Sequence, residues 1–162
     1  MPLIKNRQVV EDTWALVDEE TAVEALPAGN IIVPLALWLE QKAALLATRD
    51  KLGVWLDNDS NVEHIADDVD KFEVIALNFP IFRDGRGFSI AQRLRQRYHY
   101  RGELRAIGQV MADQLYFMER VGFNAFSAKD NDATVNMLAA FDMISVKYQA
   151  ANDEPRPLYL RR

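Results

Sequence analysis

The sequence predicts an α/β protein, a single three-layer domain with a mainly parallel sheet of βα units and an N-terminal β-hairpin. Short apolar runs alternate with segments whose apolar residues recur at helical spacing, and the connections between them are short. Such alternation produces right-handed βαβ units and therefore a parallel sheet. We expect either an open three-layer sheet or a partial-barrel arrangement of the same units.

The 162 residues are most simply one domain, which we place at residues 1–150. Within it, the hairpin occupies residues 3–17 and the βα units occupy residues 31–148. Residues 151–162 contain two of the six prolines. We therefore expect an extended C-terminal tail that lies on the surface or reaches a neighbouring chain, as in a homodimer.

The start of the chain is rich in β-prone residues. Residues 3–5 and 8–10 flank Asn6-Arg7 and predict two hairpin strands, and residues 13–17 continue the β-prone pattern. These residues are expected to add antiparallel strands at one edge of the sheet.

The first βα units follow an acidic loop. Residues 31–33 predict a short strand, and Pro34 suits the first turn of a helix that continues to about Thr48. Residues 52–56 predict the next strand. The helix after that strand has one apolar face, formed by Val62, Ile65, Val69 and Phe72.

Residues 74–79 and 103–107 predict two further strands, followed by helical patterns that begin at Ile90 and Val110. Gly122 is placed to end the second of these helices in the left-handed conformation.

Residues 124–127 predict a last, shorter strand. The final helix is predicted from one apolar stripe at i, i+4, i+7 and i+11. This stripe consists of Met137, Phe141, Ile144 and Tyr148.

The composition excludes several kinds of cofactor. With no cysteine, the chain has no disulfide, no thiol redox centre and no cysteine-ligated iron–sulfur cluster. With two histidines, a multi-histidine zinc site is not expected. We predict no metal site and no haem, so any redox chemistry would need an organic cofactor such as a flavin or a nicotinamide, or a partner protein.

The net charge of −5 argues against general nucleic-acid binding. No run of eighteen apolar residues predicts a membrane span, and no signal peptide is visible, so we expect a cytoplasmic protein. The charge is unevenly distributed, because residues 83–105 hold seven arginines and only two acids. That window carries +5, so the rest of the chain carries −10.

The turn between the strand at 74–79 and the following helix is the best candidate for a binding site. Ligands of open parallel sheets bind beyond the carboxyl ends of the strands. Glycines that adopt positive φ would let backbone N–H groups converge on an anion, and a capping box formed by Ser89 and Gln92 would fix the helix start. The predicted anion-binding residues are Arg83, Asp84, Gly85, Arg86, Gly87 and Ser89. The alternative is a structural loop in which Asp84 pairs with one of its neighbouring arginines.

The helix after this turn and the residues that follow it supply four further arginines that could dock an acidic partner protein. They are Arg93, Arg95, Arg97 and Arg101. The alternative is a solvated helix face. The candidate catalytic acids are Asp57, Asp84 and Asp113, which follow three different strands and could serve as general acid and base. Turn formation and helix capping are the alternatives for Asp57 and Asp113. No nucleophile elbow, P-loop, zinc-protease or dinucleotide motif is present.

A longer signature lies between Val74 and Phe126. It consists of Ile75-Ala76-Leu77-Asn78-Phe79-Pro80, Phe82, Asp84-Gly85-Arg86-Gly87-Phe88-Ser89, Leu94-Arg95, Gly102-Glu103-Leu104-Arg105-Ala106, Gly108, Asp113-Gln114-Leu115 and Gly122-Phe123. This signature resembles a bacterial family of unknown function, whose members are often named probable oxidoreductases and whose genes commonly lie beside those of assimilatory sulfite reductase. The chain departs from the family at Gln109 and Asn124, where the family usually has an acid.

The resemblance implies a role in cytoplasmic sulfur assimilation, and the residues predict anion recognition. The leading hypothesis is an accessory protein of sulfite or sulfate assimilation that binds a small oxyanion, or docks to sulfite reductase, through the Arg/Gly-rich turn. A flavin- or nicotinamide-dependent oxidoreductase is the alternative. A small hydrolase or lyase that uses the strand-end carboxylates is the second alternative.

Overall fold

The structure is a computed structural model that describes residues 2–48, 51–81, 83–127 and 136–161. Eight strands lie within these ranges. They are β1 (Pro2–Lys5), β2 (Gln8–Glu11), β3 (Trp14–Leu16), β4 (Asn30–Pro34), β5 (Leu52–Leu56), β6 (Val74–Phe79), β7 (Glu103–Gly108) and β8 (Ala125–Ser127). The α-helices that connect them are α1 (Leu35–Thr48), α2 (Arg86–Gln96) and α3 (Ala112–Val121).

All eight strands belong to one sheet, in the order β2-β1-β8-β7-β6-β5-β4-β3. Strands β3 to β8 are parallel, whereas β1 is antiparallel to both β2 and β8. The predicted α/β class, the mainly parallel sheet and the N-terminal hairpin are therefore confirmed. The hairpin consists of β1 and β2 alone, because β3 joins the opposite edge of the sheet and pairs in parallel with β4.

The sheet curls until its two edges nearly meet. Strands β2 and β3 are the two edge strands, yet only Asp12 and Thr13 separate them along the chain. Three Cα–Cα steps span roughly 11 Å at most, so the sheet edges must lie within that distance of each other. The sheet thus adopts the partial-barrel arrangement and not the open one.

The two faces of the sheet have different environments. The outer face packs against the helices in the main core, to which α1 contributes Trp38, α2 contributes Leu94 and α3 contributes Met118. A smaller buried cluster on the inner face contains Ile32, Val74, Ala76 and Ile107, with Trp14 and Trp55 packed against it. The helices α1 to α3 therefore cover the outer face and do not form two layers around an open sheet.

The inner face also carries a buried ionic cluster, formed by Lys5, Asp12, Glu103 and Arg105. Arg105 donates to Glu103 at 2.7 Å and to Asp12 at 2.8 Å, and Lys5 pairs with Glu103 at 2.7 Å. The cluster thus connects β1, β7 and the short segment between the two sheet edges. Because Asp12 lies at that junction, its contact with Arg105 shows that the ionic face is the concave one.

Two of the predicted α-helices are wrong in their type or length. Residues 62–71 form a 3-10 helix, in which side chains three positions apart lie on one side. Its buried residues Val62, Ile65 and Asp68 follow that spacing, and Asp68 accepts hydrogen bonds from Trp38, Lys42 and Lys71.

The predicted final helix ends early. Residues 136–138 are helical and continue into a 3-10 turn at Ala139–Asp142. Met137 and Phe141 are buried, but Ile144 and Tyr148 are exposed, so the apolar stripe does not extend beyond the turn. After it, the chain crosses α3, where Asn152 hydrogen-bonds the carbonyl oxygens of Arg120 and Val121. None of the described helices combines the length and the apolar character that a membrane crossing requires.

Candidate functional site

The candidate site lies where three neighbouring parallel strands end. Strands β5, β6 and β7 are adjacent, and the polar residues that follow them meet at one edge of the sheet. Asn78 near the end of β6 donates to Asp57 after β5, at 2.7 Å between Nδ2 and Oδ1. On the other side, the N–H of Gln109 donates to the carbonyl oxygen of Phe79 at 2.7 Å. Two hydrogen bonds thus connect the three strand ends.

Helix α2 begins four residues earlier than its apolar spacing indicated. Its first residue is Arg86 and its N-cap is Gly85, whose φ is −85° and which makes no side-chain cap. Ser89 therefore lies inside the helix, and the predicted capping box is wrong. The predicted positive φ is also wrong at Gly85, and Gly87 is helical. Gly87 is instead required for close packing, because a Cβ there would lie 2.7 Å from the ring of Phe79.

Asp84 and Arg86 form a tightly bonded pair in front of this helix. The Arg86 guanidinium contacts the Asp84 carboxylate with Nη2–Oδ2 at 2.7 Å, and the Arg86 backbone N–H donates to the same carboxylate at 3.1 Å. These hydrogen bonds hold the pKa of Asp84 below its ordinary value. Internal pairing of Asp84, the structural alternative for this turn, is therefore present, and the pair is close to neutral.

Asn58 joins the pair from the neighbouring strand end. Its side chain is buried, with the residue 5% exposed, and its Oδ1 accepts a weak hydrogen bond from Arg86 Nη2 at 3.4 Å. Its Nδ2 is buried, and the Asp84 carboxylate is the acceptor beside it, since the contact with the Asn58 side chain helps to lower the pKa of Asp84.

Arg83 is the open cationic side chain of the turn. It is exposed, and within the described ranges it forms no ion pair. The backbone N–H groups at the start of α2 add partial positive charge at the end of the turn. The structure thus brings together Asn58, Asp84, Arg86 and the helix start, and it places Ser89 on the exposed side of the helix. Whether they bind an anion stays a prediction.

The predicted docking arginines divide into two groups. Arg95 is half-buried and donates to the carbonyl oxygens of Tyr100, Gly102 and Gly122, which ties α2 to the segments around it. Its burial lowers its pKa from the ordinary value, and its contacts remove it from the exposed surface. Arg93, Arg97 and Arg101 are exposed.

Arg86, Arg93 and Arg97 lie on one side of α2. Positions i, i+7 and i+11 of an α-helix fall within about 40° of each other. Of the three, Arg97 contacts a carboxylate of the neighbouring 3-10 helix, Glu63, at 3.7 Å. Arg93 has no ion pair with the described residues. Because Arg86 is paired with Asp84, Arg93 is the arginine on this side of α2 whose charge no carboxylate of the described residues compensates.

The candidate catalytic acids do not form one cluster of free carboxylates. Asp57 is hydrogen-bonded to Asn78, and Asp84 is paired with Arg86. Asp113 is exposed in the first turn of α3, where a carboxylate is favoured by the helix dipole. Within the described ranges, no group of three or more His, Asp or Glu side chains is arranged to hold a metal ion. The contacts of Asp57 and Asp84 favour binding over acid–base chemistry.

Sequence reasoning places Asn58 at the end of a strand without giving it a role, and it misses the inner ionic cluster. Asn58 lies in an Asp-Asn-Asp-Ser turn, and this polar composition does not indicate that the Asn58 side chain is buried. For the ionic cluster a signal did exist, because Glu103 and Arg105 occur at i and i+2 in an otherwise apolar strand. Charges at that spacing lie on one face of a strand. This placement indicates an inward-facing ion pair.

A family model described as "Bacterial protein of unknown function (DUF934)" matches residues 53–159, which include the ends of β5, β6 and β7. No curated protein and no solved structure matches the chain significantly.

Proposed function

The chain belongs to the DUF934 family of bacterial proteins of unknown function, and from its own residues we propose that it binds a small oxyanion at the end of β5 and β6. In this proposal the protein is an accessory component of cytoplasmic sulfite or sulfate assimilation. The assignment to sulfur assimilation depends on the resemblance carried by the Val74–Phe126 signature, and the assignment of an oxyanion depends on the site.

The observation that carries the proposal is Arg83, which is exposed, forms no ion pair with the described residues and lies between the end of β6 and the start of α2. An oxyanion there would accept from Arg83 and from backbone N–H groups at the start of α2, while Arg86 would keep its bond to Asp84. Sulfite, sulfate and phosphate share the required geometry.

We expect isothermal titration to show binding of sulfite, sulfate or phosphate to the wild-type protein, weakened at least tenfold in Arg83→Gln. The substitution removes a charged donor, and a hydrogen bond to a charged group contributes about 1.5–3 kcal/mol. The matched control is Arg93→Gln, which removes the same charge from the same helix region but away from the site. No binding at millimolar anion, or equal losses in Arg83→Gln and Arg93→Gln, would contradict the proposal.

The docking of sulfite reductase is a second candidate function, favoured by the cationic side of α2. We expect co-purification of the two proteins at low salt and its loss at high salt, because exposed ionic contacts are screened. Reversing the charge with Arg93→Glu and Arg97→Glu together should abolish co-purification. Lys51→Glu, an exposed reversal that lies outside α2, should retain it. Co-purification that survives the double reversal would exclude this surface as the docking site.

A further inference from the structure

The surface formed by residues 143–148 and 158–160 is strongly apolar. Large apolar residues of these two segments are between 38% and 74% exposed. Residues of this size have a surface of about 150–250 Å² each, so together they present roughly 700–800 Å² to solvent. The largest apolar patch of a typical monomer measures about 300–600 Å², and a larger one marks an interaction site. We call this surface the C-terminal apolar patch, and it consists of Met143, Ile144, Val146, Tyr148, Leu158, Tyr159 and Leu160.

The two segments of the patch contact each other and are fixed to the rest of the domain. The backbone N–H of Leu158 donates to the carbonyl oxygen of Tyr148 at 3.2 Å, and the Arg161 side chain donates to the carbonyl oxygen of Lys147. Between the two segments, Asn152 is hydrogen-bonded to the end of α3. Because these hydrogen bonds hold the backbone in place, a partner would lose little binding energy in ordering the patch.

Four charged residues in and between the two segments are paired within the chain. Lys147 forms an ion pair with Asp153, and Arg156 forms one with Glu154 at 3.4 Å. A two-fold interface places a surface opposite its own copy, so an unpaired charge there would face its like. Internal pairing removes this repulsion. The patch therefore fits a second copy of this chain better than a strongly acidic or basic partner.

The size and composition of the patch also match a dimer interface. A stable protein–protein interface takes about 800 Å² from each partner, which is close to the area that the patch presents. Tyrosine is enriched among the residues that contribute most to binding, which cluster near the centre of an interface. Tyr148 and Tyr159 are the most exposed members of the patch, at 74% and 72%. These two side chains are therefore the expected anchors.

We propose that two copies of this chain form a dimer with two-fold symmetry through the C-terminal apolar patch. In this dimer, Tyr148 and Tyr159 of each protomer pack against the patch of the other, and the burial of apolar surface drives association. The patch contains none of the residues of the oxyanion site, so this inference does not depend on the proposed function.

Sedimentation velocity at protein concentrations between about 1 and 100 μM tests the dimer, since this range covers micromolar affinities. We expect the wild-type protein to sediment with twice the monomer mass of 18.5 kDa. Tyr148→Glu with Tyr159→Glu should raise the dissociation constant at least about a hundredfold, because the interface would then bring like charges together. The matched control is Leu39→Glu with Leu46→Glu, which places the same charges at exposed apolar positions of α1 and should remain dimeric.

The outcomes distinguish the dimer from the location of its interface. A wild-type protein that is monomeric throughout this range overturns the dimer. A dimer that persists in the tyrosine double variant, or that dissociates equally in the α1 control, overturns the patch as its interface. If circular dichroism shows that the tyrosine double variant does not fold, hydrogen exchange of the wild-type protein decides. The amides of residues 143–160 should be better protected at high protein concentration than at low concentration, and unchanged protection overturns the proposal.

Discussion

Replacing Arg105 by alanine is expected to lower the free energy of unfolding by about 3–5 kcal/mol, the range measured when one partner of a buried ion pair is removed. The Arg105 side chain is 3% exposed, and its partners Glu103 and Asp12 are 5% and 13% exposed. Its removal leaves Asp12 without an ion-pair partner among the described residues. It also breaks the contact that holds the middle of the sheet to the junction of its two edges.

Urea unfolding followed by tryptophan fluorescence measures this loss, since Trp14 and Trp55 pack against the inner face. The matched control is Lys51→Ala, which removes the cation of an exposed pair with Glu73 at 3.4 Å and should cost less than about 1 kcal/mol. If Arg105→Ala does not fold, Arg105→Lys provides the measurement, because it keeps the charge but loses the two-sided contact. A cost no larger than that of the control would show that the cluster does not close the sheet.

This cluster also shows where sequence reasoning stops. The seven arginines of residues 83–105 form one cationic window in the sequence, yet the side chains of Arg95 and Arg105 bond to internal groups. The composition gives the charge of a side chain but not its burial. The burial of Arg105 follows from the curl of the sheet, which brings Asp12 to the concave face. That curl depends on which strand β3 pairs with, a long-range choice that local periodicity does not encode.

Strand positions were predictable because they depend on local patterns. The runs at 52–56 and 74–79 are apolar throughout, as buried parallel strands are, and the structure places β5 and β6 there. The start of α2 was not predictable, because its first turn, Arg86-Gly87-Phe88, has the composition of a loop. Gly87 is required there because its backbone packs against the ring of Phe79. The fold creates this contact, and the local sequence pattern does not indicate it.

The candidate site was predictable to the level of a strand end and no further. The rule that ligands bind beyond the carboxyl ends of parallel strands selected the correct edge for Asp57 and Asp84. It could not distinguish Arg86, whose charge Asp84 compensates, from Arg83, which is exposed without an ion pair among the described residues. Nor could it show that Asn58 is buried beside Arg86, because burial is a property of packing and not of residue type.

The second large effect is expected at Gly108, the last residue of β7. Its φ is +86°, and a Cβ there would lie 2.6 Å from the carbonyl oxygen of Phe79 and 2.7 Å from Oδ1 of Asn78. A left-handed conformation costs a non-glycine residue about 1–2 kcal/mol, and overpacking adds about 1–3 kcal/mol. We therefore expect Gly108→Ala to lower the free energy of unfolding by about 2–5 kcal/mol, measured by urea unfolding.

Gly29→Ala separates the two contributions to this cost, because Gly29 has a φ of +90° but a Cβ there would meet nothing within 4 Å. It should show the conformational cost alone, about 1–2 kcal/mol. The difference between the two variants measures the clash with Phe79 and Asn78. Because Asn78 lies at the end of β6, directly before the turn that contains Arg83, Gly108→Ala should also reduce the binding of phosphate relative to Gly29→Ala. Equal stability losses in the two variants would show that the strand ends relax freely, in which case they could not hold Asp57 and Asn58 in a fixed geometry for a ligand.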